Sequence, residues 1–300
     1  MDEKSLSFLE QKLKSQYGEE EWQAVLSGFS SPKKTALRAN ALKATGDEVA
    51  ECLSAAKIPF ERFPFFPDAF ALAPDSEQAV AALPFYGEGK IYLQNPSSMI
   101  PPLCFGKDLG KTVLDMAAAP GGKTCLLSAL AGGAISITAC EANPRRAERL
   151  RYNLKKQGVP RVNVITGDAR RLDENFRFDA VLLDAPCSGS GTLSPSSSPR
   201  AVFSQENLQK TVRLQSALLQ KAVKLLKKGG TLIYSTCSLF REENEQIVRC
   251  ALQGGACSLV PLDFSLFSGV PRLSSTLDGV MTVRPTDVHE GFFVAKLKKN

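Results

Sequence analysis

The sequence predicts an α/β protein, a mostly parallel sheet with helices on both faces, preceded by a smaller α/β unit. Three observations carry this. Between residues 113 and 234 short apolar runs alternate with helical segments, the pattern of parallel strands joined by crossover helices. The runs, such as Ala180-Val181-Leu182-Leu183, are apolar at every position rather than at alternate ones, as strands covered on both faces are. Ahead of them lies a stretch with its own helix, its own strand and a segment rich in proline and phenylalanine.

Taken in order, residues 5–26 read as a helix, because Leu6, Leu9, Leu13, Tyr17, Trp22 and Val25 recur at helical spacing, and Ser30-Ser31-Pro32 ends it. Residues 36–42 alternate as a strand, 46–56 form a second helix, and 59–72 are extended. We place this small unit at 1–84, as either a docking module or a structural cap, and the larger unit at 85–300. In the larger unit, strands at 113–116, 135–140, 162–165, 180–183 and 231–234 alternate with helices at 124–131, 144–157 and 204–226. Gly229-Gly230 reads as the C-cap of the last of these, with Lys221, Lys224, Lys227 and Lys228 in its final turns. A helix at 242–252 and a strand at 291–297 follow, and the serine-rich 194–198 reads as a loop.

Three hundred residues with 43% hydrophobic content can bury a large core. The chain shows no apolar run of membrane-spanning length and no basic-then-apolar leader at Met1-Asp2-Glu3-Lys4, so a cytoplasmic protein without membrane association is expected. Eight cysteines without a Cys-x-x-Cys pair and a single histidine, His289, argue against a metal site, and a reducing compartment argues against disulfides. A monomer is expected. Residues 1–84 hold 9 Lys/Arg against 13 Asp/Glu and the remainder 28 against 18, so the positive field belongs to the larger unit. A polyanion is its natural partner. Arg145, Arg146, Arg149, Arg151, Lys155 and Lys156 on one helix and Arg170-Arg171 after a strand are either phosphate contacts or solvated faces.

Ala117-Ala118-Ala119-Pro120-Gly121-Gly122-Lys123-Thr124 lies between a strand ending in Asp115 and a helix. Small residues there let backbone approach a ligand, and a helix N-terminus offers free N–H groups. The Gly-x-Gly-x-x-Gly spacing of dinucleotide enzymes is missing, and Ala118 stands where a nucleotide triphosphatase loop needs its first glycine. Glu141 ends the next strand, about twenty residues on, where a ribose diol needs an acceptor, and Asp168 follows the third strand, placed to accept from an exocyclic amine. With Asp184 after the fourth strand, these acids fall on successive strand ends and suit S-adenosyl-L-methionine.

Cys187, in Asp184-Ala185-Pro186-Cys187-Ser188-Gly189-Ser190-Gly191-Thr192, and Cys237, in Tyr234-Ser235-Thr236-Cys237-Ser238, follow two strands and reach one sheet edge. Cys52, Cys104, Cys125, Cys140, Cys250 and Cys257 read instead as small buried hydrophobes. Two thiols beside a cofactor loop fit methylation of a pyrimidine at C5, a carbon that is a poor nucleophile until a thiolate adds to C6. One cysteine can add, a second group can help release, and an acid near N3, for which Asp184 is placed, would stabilise the adduct.

Gln94-Asn95-Pro96-Ser97-Ser98-Met99, residues 118–124, Gly167-Asp168-Ala169, residues 184–192, Tyr234 to Ser238 with Glu243-Asn244-Glu245, and Gly291-Phe292-Phe293 resemble the NOL1/NOP2/Sun family of RNA 5-methylcytosine methyltransferases. The resemblance covers nearly the whole chain. It implies a Rossmann-like class I S-adenosylmethionine-dependent methyltransferase with a mostly parallel seven-stranded sheet. It implies Cys237 as the nucleophile at C6 and Cys187 as the group that assists release. Residues 117–123, Glu141, Asp168 and Asp184 would hold the cofactor, with Lys123 and Asp184 near the reacting base. The substrate would be RNA, with ribosomal RNA favoured and transfer RNA the alternative. The small unit is similar to the domain preceding the catalytic one in bacterial ribosomal members, with Arg38-Ala39-Asn40 where Arg-Val-Asn is usual. Ser194-Pro195-Ser196-Ser197-Ser198-Pro199 replaces a usual basic pair, and His289-Glu290-Gly291 replaces a usual aspartate before the glycine. The C-terminal RNA-binding domain of longer relatives is not expected. Competing readings are a DNA cytosine-C5 enzyme with Cys187 as nucleophile, a non-catalytic ribosomal RNA assembly factor, and, last, a nicotinamide dehydrogenase.

Overall fold

The computed structural model describes residues 3–194 and 203–300. Helix α1 (Glu3–Ser30) bends at Gly18, whose φ is 81°. It is followed by β1 (Lys34–Ala39), α2 (Gly46–Ala55), β2 (Phe60–Phe63), β3 (Phe66–Pro74), α3 (Glu77–Ala81), α4 (Pro84–Gly87) and β4 (Ile91–Leu93). The four strands make an antiparallel sheet in the order β2-β3-β1-β4. Thr45 caps α2 reciprocally with Glu48, and Val49 and Leu53 of that helix pack with Leu37, Phe70 and Leu72 of the sheet. The fourth strand comes from beyond residue 84. Helix α1 turns away from this sheet: Leu9, Leu13, Tyr17 and Trp22 pack against Phe203, Leu208, Leu239, Phe240 and Leu273.

The larger sheet begins after α5 (Ile100–Leu103). Its elements are β5 (Thr112–Asp115), α6 (Gly122–Leu130), β6 (Ser136–Glu141), α7 (Pro144–Gln157), β7 (Val162–Thr166), β8 (Phe178–Asp184), α8 (Gln205–Leu225), β9 (Leu226–Thr236), α9 (Glu245–Gln253), β10 (Cys257–Val260), β11 (Arg272–Leu273), β12 (Met281–Val283) and β13 (Phe292–Lys299). The order is β11-β12-β13-β9-β8-β5-β6-β7, with β10 pairing β13. The run β9-β8-β5-β6-β7 is parallel, and β13 joins it antiparallel through β9. Nine strands take part rather than seven: β13 and the short antiparallel β10, β11 and β12 add four to the five parallel strands. Strand neighbours serve opposite faces. Leu114, Leu183 and Tyr234 enter one core with Leu219 and Ala222 of α8, while Val113, Leu182 and Ile233 enter another with Leu127 of α6.

Gly229-Gly230 does not cap α8. That helix stops at Leu225 because Leu226 is already extended (φ −71°, ψ 144°) and starts β9. Residues 227–230 form a bulge, the register against β8 jumping from Phe178↔Leu226 to Ala180↔Thr231. The glycines answer the needs of the bulge: φ is 73° at Gly229, and a Cβ on Gly230 would lie 2.9 Å from the Asp179 carbonyl. Lys227 and Lys228 are therefore off the helix, and Lys227 pairs with Asp179 at 2.7 Å. Lys221 and Lys224 do lie on α8 and share Glu174 at 3.2 Å each. Among the described residues no helix is long and apolar enough to cross a membrane.

Candidate active site

Because β5, β6, β8 and β9 are parallel, their carboxyl ends and the loops beyond them share one edge. Gly121 (φ 109°) turns the β5–α6 loop into α6, and a Cβ there would stand 3.0 Å from the Leu150 side chain. The loop borders a cavity of ≈ 240 Å³. Residues 117–120, Gly122 and Lys123 line it together with residues 92–95, Ser98, Asp115 and Asp184.

Lys123 reaches across this cavity. Its Nζ lies 2.7 Å from Asp184 Oδ2, donates to Ser98 Oγ at 2.6 Å and sits 5.1 Å from the Phe292 ring centroid. Asp184 Oδ1 accepts from Ser235 Oγ at 2.8 Å, so both its oxygens are engaged. Asp115 is 1% exposed, accepts from Thr124 Oγ1 at 2.7 Å, and burial pushes its carboxyl up to about 6.

The thiols meet in the loops beyond the ends of β8 and β9. Ala185 N donates to Ser235 O at 2.8 Å, which keeps the loops after β8 and β9 in step, and Cys187 Sγ stands 3.2 Å from Cys237 Sγ. The hydrogen bond between the sulfurs, then burial, raises the Cys187 thiol well above its ordinary value, so it is held protonated. A buried polar clamp fixes both loops. Glu243 accepts from Ser188 N at 2.8 Å, Ser188 Oγ at 2.5 Å and Gln215 Nε2 at 3.1 Å. Ser190 and Ser238 hydroxyls meet at 2.9 Å, and Asn244 Nδ2 donates to Ser238 O at 2.8 Å. Gly191 N donates to Cys237 O at 3.0 Å, and Gly291 N to Gly191 O at 2.8 Å.

Of the residues singled out in the sequence, the loop at 117–123, Asp184 and the two cysteines come together at this edge. Glu141 is 3% exposed at the end of β6, its Oε1 accepting from Asn143 N at 2.9 Å and its Oε2 lying 3.6 Å from Arg146. It stands outside the cavity wall, as does Asp168. Both Asp168 oxygens are taken by Arg170, through Nε at 3.1 and 3.0 Å and Nη2 at 2.6 Å, and these bonds lower its carboxyl below the usual range. Among the other cysteines, Cys104, Cys125, Cys140 and Cys257 are buried, whereas Cys52 is half-buried and Cys250 exposed, contrary to the buried role read for them. Of the 194–198 loop, only Ser194 falls within the described residues. Sequence reasoning passed over Tyr92, Asp115 and Ser235 as site residues. Ser98 lay inside a motif already quoted, and only its reach to Lys123 marks it.

The sequence profile described as "16S rRNA methyltransferase RsmB/F" matches residues 106–298, and a "Methyltr_RsmF/B-like, ferredoxin-like domain" profile matches residues 7–77. The chain belongs to the RsmB/F methyltransferase family. Relatives within it include the ribosomal RNA small subunit methyltransferase F of Shewanella woodyi, 33% identical over 91% of this chain and 59% of the relative. That of Erwinia tasmaniensis is 34% identical over 98% of this chain and 63% of its own length. The chain thus spans about three fifths of the length of these relatives. A crystal structure of a methyltransferase homolog protein from Pyrococcus horikoshii is 31% identical, covers 100% of both chains and superposes with a TM-score of 0.84. The architecture is therefore that of the S-adenosylmethionine-dependent methyltransferases.

Proposed function

We propose that the chain methylates C5 of a cytosine in RNA, ribosomal RNA in first place, with S-adenosyl-L-methionine as methyl donor and Cys237 as covalent nucleophile. The 3.2 Å approach of the two thiols beside the Lys123–Asp184 pair is the observation that carries this reading. The names of the curated relatives favour ribosomal over transfer RNA.

The residues present fit the donor. Asp115 and Asp184 offer carboxylates to a cationic ligand inside a cavity of ≈ 240 Å³, and Gly122 leaves its wall bare of a side chain. Glu141 keeps acceptor capacity for a ribose at the end of β6. Asp168 would have to exchange Arg170 for an adenine amine. When bound, the donor supplies an electrophilic methyl group.

The target base must leave its stack to reach the thiols. The Cys187 S–H can donate to the Cys237 sulfur, the atom that adds to C6. Addition forms the S–C6 bond, opens the C5–C6 double bond and shifts its electron pair toward C5, which becomes nucleophilic. Lys123 and Asp184 stand where they can hold the pyrimidine ring and the charge that develops on it. Once C5 carries the methyl group, its proton leaves to a base, the C5–C6 double bond reforms and the Cys237 sulfur departs. Cys187, 3.2 Å from that sulfur, assists this release.

The test uses purified ribosomal RNA and, separately, transfer RNA, with donor carrying a labelled methyl group. Cys237→Ser should transfer no methyl and trap no RNA. Cys187→Ser should accumulate a protein–RNA adduct that survives a denaturing gel. Normal turnover by both variants would overturn the mechanism, and label appearing only in transfer RNA would move the substrate.

A further inference from the structure

Arg38 has the largest fully buried side chain among the described residues, 0% exposed, and none of them gives it a carboxylate partner. Its guanidinium is shared among neutral acceptors instead. Nε donates to Gln94 Oε1 at 2.8 Å, Nη2 to Gly122 O at 3.0 Å and Nη1 to Ala39 O at 3.3 Å, while its Cζ lies 5.1 Å from the Tyr92 ring centroid. Tyr92, Gln94 and Gly122 all line the ≈ 240 Å³ cavity, and Arg38 stands behind them without touching it. Tyr92 and Gln94 belong to β4 and its continuation, paired to β1 with Arg38 opposite Tyr92, whereas Gly122 opens α6 of the larger unit. The cavity is therefore lined jointly by the edge of the small sheet and by the β5–α6 loop.

A guanidinium buried without a counter-charge is an expensive way to join two units, since an apolar side chain of the same volume would do so at lower cost. What the guanidinium adds is a rigid fork of donors that fixes the orientation of its acceptors. The chain of contacts runs on from it. Gln94 Nε2 donates to Ser98 O at 3.2 Å, Ser98 Oγ accepts from Lys123 at 2.6 Å, and Lys123 pairs with Asp184 at 2.7 Å.

We infer that Arg38 is a positioning residue through which the small sheet completes the cofactor cavity, so that both units bind the donor jointly. The inference rests on the reading of this cavity as the S-adenosylmethionine site. Arg38 sets the Gln94 amide and the first carbonyl of α6 at the separation the ligand needs, and it delivers Ser98 to Lys123. Lysine at 38 keeps the charge but cannot serve Gln94 and Gly122 together; methionine keeps only the volume.

The experiment measures binding of S-adenosylhomocysteine by calorimetry to the full chain and to Arg38→Lys and Arg38→Met, without RNA, alongside the melting temperature of each ligand-free protein. Loss of the fork should weaken binding at least about tenfold in both variants. The KM for the donor should rise by a similar factor while kcat at saturating donor falls far less. A lowered melting temperature with binding within about twofold of the wild type would overturn the inference and leave Arg38 a structural residue. Should neither variant fold, hydrogen exchange on the wild-type chain decides. Ligand should then slow exchange at residues 37–39 of β1 as well as in the cavity walls, and protection confined to the walls overturns the inference. A wild-type chain that binds no ligand would remove the cofactor reading, and this inference with it; unimpaired binding by the variants removes the inference alone.

Discussion

Truncating Glu243 to alanine should loosen the thiol pair, and the hydrogen bonds allow the cost to be worked out. The carboxylate is 0% exposed and accepts from Ser188 N, Ser188 Oγ and Gln215 Nε2. Two of these donors have somewhere else to go. The Ser188 hydroxyl can turn to Ser238 Oγ at 3.2 Å, and Gln215 Nε2 keeps its bond to Pro186 O at 2.9 Å. Ser188 N–H has no other acceptor among the described residues. One orphaned buried donor costs about 1–3 kcal/mol, and the lost side-chain volume adds about 1 kcal/mol. Burial raises the Glu243 carboxyl above its ordinary value, so removing it returns part of that cost. Glu243→Ala should therefore lose about 2 kcal/mol in urea denaturation followed by far-ultraviolet circular dichroism. Glu243→Gln, which keeps an acceptor for Ser188 N–H, should lose less than about 1 kcal/mol. Methyl transfer should fall on the order of a hundredfold in the alanine variant, because Cys187 adjoins the released residue and reacting groups tolerate little misplacement. Equal stability of the two variants, or full activity in the alanine variant, would refute the reasoning.

Two further outcomes can be checked. Gly191→Ala places a Cβ 2.2 Å from Gly291 O, with backbone on both sides, so this variant should lose about 3 kcal/mol in thermal or urea unfolding, or fail to fold; a soluble variant of wild-type stability would show that the two backbones can part. Asp115→Asn tests the raised carboxyl. The unfolded chain gives up this proton near pH 4 and the folded one only at about 6, so the carboxyl opposes folding increasingly across that interval and fully above it. The asparagine variant, without ligand, should be more stable than wild type by about 3 kcal/mol at pH 8 and should converge with it below about pH 3. A stability difference independent of pH would refute the assignment.

Much of the site could be read in the sequence, because short apolar runs fix the strand ends of a parallel sheet and the loop residues next to each run are local to it. The run 180–183 announces β8, and Asp184 and Cys187 then fall on its carboxyl edge. The loop at 117–123 was legible in the same way. What the sequence did not show depends on which way side chains turn and on strand register. Asp168 has the spacing of a cofactor acid, yet Arg170, two residues on, occupies it, and no spacing rule reports which way an arginine folds back. Gly229-Gly230 looks like a helix stop because glycine serves caps and bulges alike; only the register against β8 separates them. The Tyr92–Asn95 wall was hidden because it depends on pairing of β4 with β1, a contact across more than fifty residues.

The docking of α1 bears on the order in which the site can mature. Tyr17 Oη donates to Leu239 O across 222 residues of chain, Lys12 pairs with Glu242, and Trp22 closes the same cluster. These partners sit in the stretch that joins Cys237 to Glu243. Contacts of such sequence separation form late, after the local β–α units have collapsed. A chain whose parallel sheet has formed but whose α1 is still adrift would hold its cavity walls and lack a settled Cys237 loop. Trp22, the single tryptophan, lies at that last seam, so its fluorescence would time the final step of assembly rather than the first.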